Sequence, residues 1–125
     1  MIGLNYLGKM GQLGNQMFQY AALKGIANRR GLEYTVPNHN EVIEDGLGNI
    51  LRIELYNAFD INPKNQGLLP TNEYIQEAHF HFDEDLFNSC PDDCSIVGFF
   101  QTEKYFTNIR DEIVKDFKIK KEYRD

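Results

Sequence analysis

The arrangement of apolar and polar residues along the first 37 positions predicts a strand, a turn, a helix and a second strand. Ile2–Leu7 is a short apolar run of the kind found in buried strands. Apolar residues then recur at near-helical spacing from Gln16 to Arg30, and Gly31 is a natural helix stop. Leu32–Val36 predicts the second strand, which Pro37 ends.

The second half of the chain predicts another strand and a long helix after an irregular middle section. Glu54–Phe59 and Asp83–Asn88 each fit a short helix. Ser95–Phe100 is a continuous apolar run, typical of a strand buried on both faces. The clearest helix is Thr102–Phe117, because one of its faces carries an apolar stripe. The stripe consists of Phe106, Ile109, Ile113 and Phe117.

This order of elements predicts an α/β fold, with a Rossmann-like parallel sheet flanked by helices. We expect the first strand to lie between the other two, which would make it a topological switch point. Ligands of open α/β sheets bind there, beyond the carboxyl ends of the strands. The loops at that edge are Gly8–Asn15 and Gln101–Lys104. They are distant in sequence, and we expect them to face each other.

Composition narrows the possible functions. The chain has 125 residues and a net charge of −6, so it offers no general basic face for nucleic acid. It contains no apolar run near the roughly 18 residues that span a bilayer. The first residues do not resemble a secretory signal. We therefore expect a cytoplasmic protein, or one peripheral to a membrane, with no transmembrane segment.

The cysteines and histidines do not predict a metal site. Cys90 and Cys94 are separated by three residues, and two reduced thiols are the simplest interpretation. His79 and His81 are the nearest further ligands, but the spacing matches no zinc pattern. Because the histidines alternate as in a strand, we expect one to face the core and the other solvent.

The glycine-rich turn before the first helix has two interpretations. It is neither a Walker A loop nor a G-x-G-x-x-G turn. Its glycines could let a ligand approach the backbone, and the following helix start offers N–H groups to an oxygen. Asn15 and Gln16 add amide groups that suit sugar hydroxyls. Alternatively, the turn is only structural, Asn15 is the helix N-cap and Gln16 packs inward.

Two sequence blocks resemble glycosyltransferase family 11, the α-1,2-fucosyltransferases. Residues 11–21, GQLGNQMFQYA, are similar to the family pattern G-G/R-L-G-N-Q-M/L-F-Q-Y-A. Residues 98–106, GFFQTEKYF, are similar to G-Y-F/W-Q-S-E-K-Y-F, and the dipeptide Ile109–Arg110 follows as in the family. A third, shorter segment, Phe80–Asp83, precedes the second block. The resemblance covers residues 2 to 118.

The resemblance implies the N-terminal, acceptor-side domain of a GT-B-type enzyme. Such enzymes move fucose from GDP-fucose to a galactose hydroxyl of a glycan, with inversion and without a metal or other cofactor. The family's H-x-R-x-G-D motif, associated with GDP-fucose, does not occur in these 125 residues. We therefore expect residues 1–118 to form this domain, 119–125 to be a linker or truncated end, and a C-terminal GDP-fucose-binding domain to be missing. The surface facing that domain should be partly apolar.

The resemblance and the predicted sheet edge together give a set of substrate- and donor-binding candidates. They are Gly11, Gln12, Gly14, Asn15, Gln16, Gln101, Glu103 and Lys104. Gln12 stands where many members of the family have Arg or Gly. Glu103 is a candidate catalytic base, although Glu at a helix start also serves the helix dipole. Lys104 could reach a phosphate or pair with Glu103.

Two functions of other classes remain open from the sequence alone. The chain could keep the fold without the chemistry, as a carbohydrate- or partner-binding remnant. A nucleotide-binding regulatory domain is the third possibility, and it depends on the glycine turn alone.

Overall fold

The fold is an α/β arrangement in a computed structural model that describes residues 1–7, 13–37, 55–59, 61, 63, 65–78 and 81–117. The elements, in chain order, are β1 (Ile2–Gly3), α1 (Leu13–Arg30), β2 (Tyr34–Thr35), α2 (Leu55–Ala58), β3 (Tyr74–Gln76), α3 (Glu84–Ser89), β4 (Cys94–Val97), the 3-10 turns η1 (Glu103–Tyr105) and η2 (Thr107–Ile109), and α4 (Arg110–Asp116).

The four strands form one sheet in the order β2-β1-β4-β3, and all three pairings are parallel. Ile2 is level with Tyr34 of β2 on one side and with Cys94 of β4 on the other. The prediction that the first strand lies between the other two is therefore confirmed. The edge strand β3 was not predicted.

The strands are shorter than the apolar runs that predicted them. β4 ends at Val97 because the backbone turns at Gly98 and again at Phe100, where φ is 159° and 50°. Residues 4–7 leave the sheet after β1, and the Leu7 N–H donates to the Leu4 carbonyl. Leu4, Asn5 and Leu7 stay buried and Tyr6 is half-buried. The apolar run therefore predicted burial better than it predicted where the strand ends.

Helix α1 is described from Leu13, three residues before the predicted start. Asn15 therefore lies in the first helical turn, and the prediction that it is the N-cap is wrong. Of the two alternatives for Gln16, the structure shows the inward one, because this side chain is only 1% exposed. Gly11 and Gln12 fall outside the described residues.

The predicted helix Thr102–Phe117 is broken into η1, η2 and α4. Thr102 caps η1 by accepting a hydrogen bond from the Lys104 N–H, and Phe106 then leaves the helical region at φ −135°. The Asn108 side chain donates to the Gly25 carbonyl of α1, which holds the break in place. A continuous helix was wrong here because tertiary contacts override the local apolar period.

The apolar stripe itself was predicted correctly. Ile109 and Ile113 are buried against Ala21 of α1, and Phe106 and Phe117 pack around them. On the solvent side of this contact an apolar groove runs between α1 and α4. It is lined by Met17, Phe18, Phe106, Ile113 and Phe117. The described surface is therefore not uniformly polar.

Charge also joins α1 to α4. The Lys24 ammonium is 7% exposed and pairs with Glu112 at 2.8 Å and with Asp116 at 2.5 Å. Burial alone would lower the pKa of Lys24, but the hydrogen bonds to Asp116 and Glu112 outweigh it and raise this pKa. The lysine therefore stays charged between the two helices.

The predicted short helix Asp83–Asn88 is observed as α3, and Asp83 is its N-cap. Asp83 accepts a hydrogen bond from the Leu86 N–H, and its other carboxylate oxygen accepts one from the Ala78 N–H. His81 lies in an exposed bend, so the prediction that it belongs to a strand is wrong. His79 lies outside the described residues.

Two glycines of α1 give a matched test of this packing. A Cβ on Gly25 would lie 1.8 Å from the Tyr105 carbonyl oxygen, whereas a Cβ on Gly14 would meet no atom within 4 Å. We expect Gly25→Ala to lower the free energy of unfolding by at least about 3 kcal/mol, because backbone must move. Gly14→Ala should raise it by up to about 1 kcal/mol. Urea denaturation measures both, and equal effects would contradict the close approach of η1 to α1.

Candidate functional site

The carboxyl edge of the sheet brings together two of the candidate residues. The Gln101 Nε2 group donates to Asn15 Oδ1 at 2.7 Å, although the two residues are 86 positions apart. Asn15 follows β1, the central strand, and Gln101 follows its neighbour β4. The expectation that the two loops face each other is confirmed at this pair.

The pair consists of two neutral amides near solvent. Gln101 is exposed and Asn15 is half-buried in the first turn of α1. Because the Asn15 oxygen is used by Gln101, the amide hydrogens of Asn15 remain available as donors. Such groups recognise hydroxyl oxygens without demanding a charged partner.

Three further candidates lie near this pair in sequence and are exposed: Gly14, Glu103 and Lys104. Gly14 has open space where a side chain would stand, so packing of the described residues does not explain the glycine. No ion pair joins Glu103 to Lys104 in the described part of the chain, although that pairing was one alternative. The Glu103 carbonyl accepts a hydrogen bond from the Thr107 hydroxyl.

A buried polar cluster behind the loop fixes the path that leads to Gln101. The Tyr105 hydroxyl donates to Glu77 Oε2 at 2.6 Å and accepts from the Asp83 N–H at 2.7 Å. The other Glu77 oxygen accepts from the Phe100 N–H at 3.2 Å. Burial, and then the Glu77 hydrogen bond, raise the pKa of Tyr105, so its hydroxyl remains a donor.

Gly98 is required by the same cluster. A Cβ at this position would lie 2.8 Å from the Glu77 Cβ, and the positive φ of Gly98 disfavours any other residue. Sequence reasoning missed Glu77 and the role of Tyr105. Periodicity gives no signal for a partner 28 residues away, as Tyr105 is from Glu77.

Asn5 is a second buried polar residue that the sequence did not single out. Its side-chain amide pairs with both backbone groups of Leu69, at 2.9 and 2.8 Å. Its backbone N–H donates to the Ser95 hydroxyl of β4. These bonds hold the chain that leaves β1 and so give Asn5 a structural role below the candidate site.

Comparisons of the chain with protein-family models, curated proteins and solved structures found no match. The resemblance to family 11 therefore remains an expectation from the sequence blocks.

The described residues contain no group of three or more His, Cys, Asp or Glu side chains that could hold a metal ion. Within the same ranges, no helix has both the length and the apolar character needed to cross a bilayer.

The Asn15–Gln101 bond can be measured by a double-mutant cycle. Asn15→Ala and Gln101→Ala should each lower the free energy of unfolding by no more than about 0.5 kcal/mol, because the bond is near solvent. The double variant should lose no more than either single one. Losses that simply add would show that the two side chains do not stabilise each other.

The Tyr105 hydroxyl offers a sharper stability test. Tyr105→Phe leaves the Asp83 N–H and a Glu77 oxygen without this buried partner, which should cost about 1–3 kcal/mol in urea denaturation. Tyr74→Phe is the control, because Tyr74 is an exposed residue and its hydroxyl accepts just one long hydrogen bond, 3.5 Å from the Asn5 amide, among the described residues. The control should change stability by less than about 0.5 kcal/mol. Equal losses would show that the cluster around Glu77 contributes nothing.

Proposed function

We propose that this chain is the N-terminal, acceptor-side domain of a GT-B-type, inverting α-1,2-fucosyltransferase of glycosyltransferase family 11. The enzyme would transfer fucose from GDP-fucose to a galactose hydroxyl of a glycan, without a metal. In this proposal residues 1–118 bind mainly the acceptor, and a segment bearing H-x-R-x-G-D binds the donor.

The hydrogen bond between Asn15 and Gln101 carries the proposal. Asn15 belongs to the first resembling block and Gln101 to the second. Their side chains meet at 2.7 Å beside the switch point of a parallel sheet, where such folds bind ligands. A chance similarity of two distant blocks gives no reason for these residues to meet there.

The exposure of the block residues also supports the proposal. Several of them have clear packing roles, because Tyr105 fills the core and Gly98 avoids a clash with Glu77. Gly14 and Gln101 have no such explanation, since both lie at the surface. Polar surface residues that packing does not require are candidates for ligand contact.

The transfer reaction requires groups that bind the acceptor and a path for the proton of its hydroxyl. The acceptor hydroxyl must lose its proton as it attacks the fucose carbon, and the departing diphosphate must be stabilised by positive charge. Asn15 and Gln101 fit the recognition of sugar hydroxyls. Glu103 is the candidate base, and Lys104 is the described cation nearest in sequence to the pair. The main charge for the diphosphate would come from the H-x-R-x-G-D segment.

Acceptor binding can be tested on this chain with side-chain NMR signals. Titration with methyl β-galactoside should shift the side-chain amide resonances of Asn15 and Gln101, and equal concentrations of methyl β-glucoside should shift them less. Gln101→Ala should weaken binding by about tenfold, the value of one hydrogen bond to the sugar. Shifts confined to residues away from the sheet edge, or none at millimolar galactoside, would count against this site.

Fucosyl transfer gives the second test. The 125-residue chain alone should transfer no fucose from GDP-fucose, because missing leaving-group stabilisation costs on the order of hundreds-fold or more in rate. Joined to the H-x-R-x-G-D half of a family enzyme, it should transfer fucose to galactosides. In that fusion Asn15→Asp should fold normally and transfer much less, since Asp keeps the oxygen that Gln101 binds but loses the amide donor for a sugar hydroxyl. Transfer by the unjoined chain would contradict our division of roles.

A further inference from the structure

A pair of cysteines lies at the opposite edge of the sheet, where α3 connects to β4. Cys90 ends α3 and Cys94 begins β4, and their sulfur atoms are 3.8 Å apart. Both are free thiols, and neither side chain is more than 1% exposed. The proposed transfer chemistry makes no use of them.

The turn between them is built to hold the sulfurs together. Both thiols lie within hydrogen-bonding distance of the Pro91 carbonyl, Cys94 at 3.2 Å and Cys90 at 3.6 Å. Asp93 adopts a positive φ of 55°, and its N–H donates to the Met1 carbonyl. The Met1 ammonium group also pairs with Asp92. The turn is therefore fixed to the start of β1 while its own residues face solvent.

The two thiols differ in acidity because they share a hydrogen bond. A bond from Cys90 lowers the pKa of Cys94, and the same interaction, together with burial, raises the pKa of Cys90. The thiolate is the form that reacts with oxidants. On this difference Cys94 would be the attacking sulfur, and Cys90 would be the thiol that resolves the product.

We propose that Cys90 and Cys94 form a peroxide-oxidisable pair that closes to an intramolecular disulfide across the turn between α3 and β4. Closure needs the sulfurs to move from 3.8 Å to the roughly 2.05 Å of a disulfide. The exposed residues Pro91, Asp92 and Asp93 can absorb this movement, since none of them is part of a helix or strand.

The reaction balances with hydrogen peroxide as the oxidant. The Cys94 thiolate attacks one peroxide oxygen, the O–O bond breaks, and a sulfenic acid forms; the released hydroxide takes up the proton that the Cys94 thiol lost and leaves as water. The Cys90 sulfur then attacks the Cys94 sulfur, the S–S bond forms, and the hydroxyl leaves as water with the Cys90 proton. Two thiols and one peroxide thus give one disulfide and two waters.

The burial of the two sulfurs limits the size of the oxidants that can react with them. Because both sulfurs are covered in the folded chain, any oxidant must enter through an opening of the exposed turn 91–93. Peroxide is close to water in size and needs a smaller opening than a bulky disulfide reagent. The pair should therefore respond to peroxide and not to aromatic disulfides or glutathione disulfide while the chain is folded. This selectivity separates the proposal from ordinary surface thiol oxidation.

The test is mass spectrometry and thiol counting on the folded full chain after brief peroxide treatment. We expect a mass lower by two hydrogen atoms, no thiol reactive in denaturant, and recovery of both thiols after reduction. Before peroxide treatment, an aromatic disulfide should react with two thiols of the denatured chain and with none of the folded chain. Thiols that survive peroxide, a gain of oxygen atoms on either cysteine, or a disulfide-linked dimer would each overturn the proposal.

Single variants check the assigned order of attack. In Cys90→Ser, peroxide should leave a sulfenic acid on Cys94 that dimedone traps. In Cys94→Ser, Cys90 should react on the order of tenfold more slowly, because burial still disfavours its thiolate. The reverse pattern would overturn the assignment of Cys94 as the attacking sulfur. Circular dichroism confirms the fold of each variant. If a variant does not fold, the mass and thiol count of the peroxide-treated chain without substitutions still test the proposal.

Discussion

The close approach of Tyr105 to α1 is the constraint on which the rest of the architecture depends. The carbonyl of Tyr105 lies where a side chain on Gly25 would stand, so the helix and the 3-10 turn meet backbone to backbone. This contact places the Tyr105 ring inside the core, in edge contact with Phe100 and Phe82. The hydroxyl then reaches Glu77, beyond the end of β3, and one residue joins the helix layer to the sheet.

The candidate site depends on buried interactions behind both Gln101 and Asn15. Glu77 holds the Phe100 backbone, and Gln101 is the next residue. On the other side, α1 is tied to α4 through Lys24, which fixes the helix whose first turn carries Asn15. The amide pair is thus positioned from two directions by buried interactions, although it lies near the surface itself. Such support is what a binding group needs in order to keep its geometry.

The sequence predicted the sheet order and the meeting of two loops because these follow from general rules. Alternating apolar strands and helices favour parallel pairing, and the switch point follows from which strand is central. The break in Thr102–Phe117 could not be predicted in this way. Its apolar stripe has a good helical period, and only the contacts of Asn108 and Tyr105 with α1 show why the chain departs from it.

Edge and buried polar features were also beyond the sequence. Strand β3 is Tyr74–Gln76, three mostly exposed residues with no apolar run, and its pairing with β4 depends on the sheet already being there. Asn5 reads as one polar residue within an apolar stretch, yet it pairs with the Leu69 backbone. Hydrogen bonds between residues distant in the chain produce no periodic pattern in the sequence. The misplaced N-cap is a smaller error, because Asn is common both at caps and in first turns.

The charges at the two sheet edges bear on which substrate group the described residues suit. Arg29 and Arg30 lie at the end of α1, away from Asn15, and bind Asn88 and the Cys90 carbonyl instead. At the carboxyl edge the meeting groups are two neutral amides. A diphosphate requires concentrated positive charge or many aligned N–H groups, whereas sugar hydroxyls require donors and acceptors without net charge. The amide pair therefore suits uncharged hydroxyl groups better than a diphosphate, which agrees with the acceptor side of the proposed enzyme.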